Sequence, residues 1–196
     1  ACEAADKIHV RYTPYEPLTD VEAALAADAR RIHPERSDNI AAHHHTVKGD
    51  IAKGFAEASH VIEREYEVGF QEHAYIEPEV VLTWLDPTDG SLIISGSIQN
   101  PHRVRSFVAK FMGCPQSQIN VKRAVMGGSF GGKDDIIDHL ACRSALMTRL
   151  TGRPVKFTYT REQSIIESCK RHPYKMKYRA GVDDNGRILA IKIDIL

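Results

Sequence analysis

Residues Gly127-Gly128-Ser129-Phe130-Gly131-Gly132-Lys133-Asp134 constrain this chain more than any other segment, because four of the six residues from 127 to 132 lack a Cβ. Without Cβ the backbone reaches positive φ, and a bulky ligand can touch the amides directly. The segment follows the strand-like Ile119-Asn120-Val121-Lys122-Arg123-Ala124-Val125. It precedes a helix expected from about Asp134 to Leu150, closed by Gly152 and Pro154. A strand, a glycine loop and a helix in that order put unpaired N–H groups and the positive end of a helix dipole beside the loop, which suits an anion. On glycine content alone, a turn serving only tight packing weighs equally. Phe130 separates the two: a large apolar residue among glycines is costly to expose, so it is expected to hold the loop against a core or to wall a pocket.

Gly127, four further residues and Gly132-Lys133 match a phosphate-binding loop up to its last position. There Asp134 replaces the hydroxyl that would hold Mg²⁺, and a carboxylate beside a triphosphate is repelled. A nucleotide-binding module of this type is therefore an alternative that must tolerate Asp134, and a non-catalytic interaction domain that keeps the scaffold is a third reading.

Around the loop the sequence reads as mixed α/β. Ile8-His9-Val10-Arg11-Tyr12 alternates like a strand, and Thr19 or Asp20 can cap a helix through Val21–Leu25. His33 to His45 has no period and suits a linker. Its triplet His43-His44-His45 reads as a solvated loop, because adjacent residues of an extended segment point to opposite faces. A helix over 50–58 leads into strands at 60–70 and 75–85. Asp86-Pro87-Thr88-Asp89-Gly90 then turns the chain into Ser91-Leu92-Ile93-Ile94-Ser95, which predicts a hairpin. Asn100 at N-cap, Pro101 at N1, apolar Val104, Phe107, Val108 and Phe111, and Gly113 beyond the end define an amphipathic helix. Strands follow at 155–159, 175–182 and 188–195, with a short helix opened by Thr160 and a turn at Asp183-Asp184-Asn185-Gly186.

Composition excludes more than it assigns. The 26 basic and 26 acidic residues cancel, which leaves no global field for nucleic acid or an anionic membrane. No stretch approaches the ~20 apolar residues of a membrane span, and the first residues lack the regions of a signal peptide, so a cytoplasmic location is expected. Cys2, Cys114, Cys142 and Cys169 stand singly and read as free thiols. The opening on Ala1 and the close inside an alternating pattern at Ile193-Asp194-Ile195-Leu196 suggest a piece of something larger.

Met126 to Asp134 is similar to the Gly-Gly-Gly-Phe-Gly-Gly-Lys-Glu loop of the molybdenum-binding part of the xanthine dehydrogenase and aldehyde oxidase family. Gln71-Glu72-His73-Ala74-Tyr75-Ile76-Glu77-Pro78, Ser97-Ile98-Gln99-Asn100, Ser106 to Lys110, Thr151 to Val155 and Arg171-His172-Pro173 resemble further signposts of that family in the same order. The resemblance implies the end of an α/β hammerhead domain at residues 1–35, a linker at 36–47, and the first part of a molybdenum cofactor-binding domain at 48–196. It implies a molybdenum–molybdopterin cofactor, in some members a cytosine dinucleotide, that hydroxylates an N-heterocycle or aldehyde with oxygen from water. FAD and iron–sulfur clusters are implied only on other domains or subunits.

Residue by residue, Gln99 matches a glutamine whose NH₂ bonds an oxygen ligand of molybdenum. Phe130 matches a residue whose backbone N–H faces an oxo group, and Gly128 matches a glycine beside the pterin. Asp134 aligns with a glutamate that reads the purine ring, one methylene longer. The catalytic glutamate base is expected beyond Leu196, so no catalytic residue is assigned within the chain, and the chain alone is expected to be inactive. His73 reads as a hydrogen-bonded structural histidine; Glu77 and Glu79 flank Pro78 and could face a pocket together, but such pairs are usually solvated carboxylates.

Overall fold

The computed structural model describes residues 2–196, and its chain divides into two compact units, residues 1–66 with 176–196 and residues 67–175. The helices are α1 (Cys2–Ala5), α2 (Val21–Leu25), α3 (Ile51–Ala56), α4 (Pro101–Met112), α5 (Ile137–Thr151) and α6 (Arg161–Glu167). The strands are β1 (His60–Val68), β2 (Val80–Leu85), β3 (Leu92–Gly96), β4 (Ile119–Arg123), β5 (Val155–Thr158), β6 (Tyr174–Val182) and β7 (Ile188–Ile195). Two sheets with packed helices make this the mixed α/β class that the sequence predicts. No helix among the described residues is long and apolar enough to cross a membrane.

In the first unit, α2 and α3 open on the carboxylates of Asp20 and Asp50, which accept from Ala23 N at 2.7 Å and Lys53 N at 2.9 Å. β1, β6 and β7 form a three-stranded sheet in that order. Helix α3 lies on β7 so closely that a Cβ on Gly54 would sit 2.6 Å from the Leu189 carbonyl oxygen. The strand expected over Ile8–Tyr12 is absent: this stretch is exposed and pairs with no strand. Alternation alone does not make a strand, since the backbone groups need a partner edge.

The second unit carries a four-stranded sheet in the order β4-β3-β2-β5. β2 and β3 form the expected antiparallel hairpin, with Leu85 opposite Leu92, and β5 pairs antiparallel with β2. β3 and β4 are parallel, Leu92 opposite Ile119, so α4 is the crossover between them. Asn100 Oδ1 caps α4 by accepting from Arg103 N at 3.1 Å, and Gly113 ends it in the left-handed conformation. Helices α4 and α5 bury one core with the sheet, built from Val81, Ile94, Val104, Val108, Ile137 and Leu140 among others. Fully burying each such aliphatic side chain contributes about 1.5–3 kcal/mol. Where Thr83 points inward from β2, its hydroxyl meets those of Ser144 at 2.7 Å and Thr148 at 2.6 Å on α5, so the buried polar atoms are paired.

The extended stretch expected over 75–85 begins only at Val80. Ahead of it, Gln71 makes a single bridge with Arg171, and Ala74 has a φ of +50°. Residues 73–79 thereby form an irregular segment of the second unit, and its side chains shape the site described next.

Candidate functional site

Parallel pairing of β3 and β4 brings their carboxyl ends side by side, and the chain leaves each through a polar segment: Ser97-Ile98-Gln99 after β3, and 124–136 after β4. Crevices outside the carboxyl ends of parallel strands are where such sheets take ligands. Two backbone bonds join the segments, Ala124 N to Gly96 O at 2.8 Å and Gln99 N to Lys133 O at 3.2 Å. Gln99 and the glycine loop, chosen separately from sequence, therefore meet in one place.

The loop holds three residues at positive φ: Gly128 at +108°, Phe130 at +54° and Gly131 at +97°. For Phe130 that conformation costs on the order of 1–2 kcal/mol. Turn bonds run from Gly132 N to Ser129 O at 2.8 Å and from Asp134 N to Gly131 O at 3.3 Å. The N–H groups of Gly128, Ser129, Phe130 and Gly131 donate to no atom among the described residues. Four successive free amides are a concentration of donors that suits an anionic or oxo ligand.

Two expectations about this loop are corrected. Helix α5 starts at Ile137 rather than near Asp134, and the intervening turn takes the helix N-terminus away from the glycines, so the donors belong to the loop itself. Phe130 does not anchor the loop in the core: its residue is 77% exposed.

The anchor is Lys133, which is fully buried. Its Nζ donates to Glu77 Oε2 at 2.9 Å and to Ser97 Oγ at 3.1 Å, and sits 4.6 Å from the centroid of the Tyr75 ring. Glu77 Oε2 also accepts from Gly127 N at 2.6 Å, so one carboxylate holds both the beginning and the end of the loop. Burial by itself raises the Glu77 pKa. The hydrogen bonds from Lys133, Gly127 and Ser97 outweigh it and hold the carboxyl below the ordinary glutamate value.

Glu79, also fully buried, accepts from the Tyr75 hydroxyl, and burial followed by this carboxylate pushes the Tyr75 pKa well above the ordinary phenol value. Glu79 is thus not the solvated carboxylate expected, and Glu77, though partly exposed, is held by Lys133 and Gly127 of the loop. From the first turn of α6, Arg161 Nη2 pins the same segment by donating to the carbonyls of Tyr75 at 2.6 Å and Ile76 at 2.8 Å. His73 is not the hydrogen-bonded histidine expected: its Nδ1 is buried with no partner. Its ring packs with Tyr75 under Gly132, where a Cβ would lie 2.6 Å from Tyr75 Cε1 and 2.9 Å from His73 Nδ1. Gly132 is required for close approach, Gly128 and Gly131 for their φ.

Above this base, the nearly buried Ser129 donates its hydroxyl proton to Gln99 Oε1 while accepting from Lys133 N at 3.3 Å. The amide oxygen of Gln99 is thereby occupied, and its exposed NH₂ remains a donor. Asp134 is half-buried beyond the loop. Nearby, Arg103 Nη1 donates to Asp135 Oδ1 at 2.7 Å, and its Nε to Asp138 Oδ2 at 2.9 Å. The Asp138 hydrogen bond raises the Arg103 pKa, burial opposes it, and the charges of Asp135, Asp138 and Asp134 add to the rise. Sequence reasoning passed over Arg103 and Tyr75 and gave Glu77 no role in the site; the separation of Asp138 from Arg103 across two helices offered no local signal.

The free cysteines among the described residues are Cys114, Cys142 and Cys169, and burial, then Asp138, pushes the Cys142 thiol up to about 11. It is an inert core thiol.

The fold that carries this loop is shared with known proteins. The chain belongs to the molybdopterin cofactor-binding domain family, whose model matches residues 32–196. It is 35% identical to the nicotinate dehydrogenase large molybdopterin subunit of Eubacterium barkeri over 98% of this chain and 44% of that subunit. With a xanthine dehydrogenase of Blastobotrys adeninivorans it shares 31% identity over 97% of this chain and 13% of that enzyme. Among solved structures it resembles quinoline 2-oxidoreductase from Pseudomonas putida 86, with a TM-score of 0.87 and 25% identity over 100% of this chain and 25% of that one. The chain thus spans less than half the length of these relatives. The cofactor of the family is molybdopterin, and the residues present fit it: the donors at the loop and at Gln99 suit oxo and pyranopterin groups, and no Cβ blocks the loop at four of its positions.

Proposed function

We propose that this chain is the first part of the molybdenum-binding domain of a larger hydroxylase that oxidises a purine-like or other N-heterocyclic substrate, with an aldehyde as the other substrate class of the family. The observation that carries the reading is the run of free amides from Gly128 to Gly131 beside a Gln99 carboxamide whose oxygen is already taken. When bound, the molybdenum–pterin group supplies a two-electron acceptor and an oxygen site replenished from water. In this reading the chain's own residues bind and orient. Gln99 NH₂ and the Phe130 N–H donate to oxygens of the cofactor, and Gly128 lets the pterin approach. Asp134 meets the polar edge of the substrate, and a ring nitrogen or its N–H rewards a carboxylate where an aldehyde does not.

The general base, the remaining pterin contacts, and the FAD and iron–sulfur partners lie on other sequence in this reading, and the isolated chain is inactive. The similarity to a nicotinate dehydrogenase subunit supports a heterocyclic substrate. A phosphate-loop reading is disfavoured, since the lysine that would reach a nucleotide is buried against Glu77. The complete natural protein, assayed in H₂¹⁸O with hypoxanthine, nicotinate and benzaldehyde and an artificial electron acceptor, tests the proposal. Label in a hydroxylated heterocycle is expected, and turnover of none of the three, or oxygen drawn from O₂, would reject it.

A further inference from the structure

Ser129 stands where the family loop that this segment resembles has its third glycine, so it adds a hydroxyl to the middle of the loop. That hydroxyl closes a ring of three hydrogen bonds. Gln99 N donates to Lys133 O at 3.2 Å, Lys133 N donates to Ser129 Oγ at 3.3 Å, and Ser129 Oγ donates to Gln99 Oε1. Ser129 is 8% exposed, whereas Gln99 is exposed, so the ordered partner is the serine.

The two ends of a carboxamide are nearly the same size and opposite in hydrogen-bonding sense. An unrestrained glutamine could turn its oxygen to an oxo ligand, and two acceptors repel. A hydroxyl that receives the Lys133 N–H and passes its own proton to Oε1 removes that choice.

We propose that Ser129 is a positioning residue that fixes the orientation of the Gln99 carboxamide, keeping its NH₂ as the end available to an oxygen of the bound cofactor. The proposal rests on the functional reading above and adds a residue that acts through Gln99. Outer partners of ligand-contacting groups commonly change affinity or activity by about 10–100-fold when removed.

The test uses the complete natural protein with four variants: Ser129→Ala, Ser129→Thr, Gln99→Ala, and the double Ser129→Ala with Gln99→Ala. Molybdenum and pterin content are measured first, then the molybdenum EPR spectrum, kcat and KM. Ser129→Ala is expected to shift the EPR spectrum and lower kcat about tenfold with little change in KM, and Ser129→Thr to restore both. In the Gln99→Ala background, Ser129→Ala should have no further effect. An unchanged spectrum and kcat in Ser129→Ala, or full additivity of the two changes, would overturn the proposal.

A metal-independent arm separates this proposal from the function. In cofactor-free protein the losses of Tm from the two single changes should be sub-additive, and strict additivity contradicts the contact. A wild-type protein purified without molybdenum sinks the functional reading, and the stability cycle then decides the Ser129–Gln99 contact by itself.

Discussion

Lys133, with no solvent exposure, donates to Glu77 Oε2 at 2.9 Å, and the same oxygen takes the N–H of Gly127 at 2.6 Å. The pair is 56 residues apart in sequence and closes the glycine loop from below. A buried charge must be paired, whereas Glu77, 35% exposed at its side chain, keeps some access to water. This asymmetry makes the two partners unequal. Glu77→Gln strands a buried ammonium and is expected to cost about 3 kcal/mol. Lys133→Met leaves a carboxylate that water can reach and is expected to cost about 1–2 kcal/mol. Urea unfolding of both variants checks the order, and a larger loss in Lys133→Met would contradict it.

Acid should act through the same carboxyl. Its folded pKa lies below the ordinary 4.5, so its contribution to stability is complete above the unfolded pKa and is lost as pH falls through the folded value. The Tm of the wild type should therefore fall more steeply than that of Glu77→Gln between about pH 5 and pH 3. Parallel curves would show that Glu77 carries none of the acid sensitivity.

Close packing under the loop gives a steric prediction. Gly132→Ala places a methyl 2.6 Å from the Tyr75 ring and is expected to destabilise by about 1–3 kcal/mol. Gly69→Ala, where a Cβ meets nothing within 4 Å, serves as the control and should stay within about 0.5 kcal/mol. Equal effects in thermal unfolding would count against the fitted base of His73 and Tyr75.

Phe130 supplies a contrasting case. The residue is 77% exposed and its φ is +54°, so replacing it by glycine relieves backbone strain and loses little burial, while the unfolded chain gains freedom. Phe130→Gly should remain within about 1 kcal/mol of the wild type in urea. A loss above 2 kcal/mol, on the scale of a core aromatic, would show that the ring is buried in solution.

Much of this architecture was legible because its signals are local. Asn100, Pro101 and Gly113 announce α4 through cap chemistry within one or two turns, and the turn at Asp86–Gly90 sets the β2–β3 hairpin. The glycine loop was legible for the same reason. Long-range pairing was not: nothing near Leu92 or Ile119 in sequence states that β3 and β4 run parallel, yet that pairing brings Gln99 to Lys133. Glu77 and Glu79 were read as solvated because burial of a carboxylate is rare unless it is paired, and the partners, Lys133 and Tyr75, emerge only in three dimensions. Ile8–Tyr12 shows the converse, a strand pattern with no edge to join.

The loop from Gly127 to Asp134 is proposed to hold a molybdenum cofactor. Molybdenum and pterin quantified per chain in the complete natural protein, wild type beside Gly128→Val, test it most directly. Gly128 sits at a φ of +108° with Tyr75 Cβ 3.2 Å from where its own Cβ would be, so a branched side chain there disrupts the loop. About one molybdenum per wild-type chain is expected, with a loss of at least about tenfold in Gly128→Val. Wild-type protein without molybdenum, or full occupancy in Gly128→Val, would contradict it.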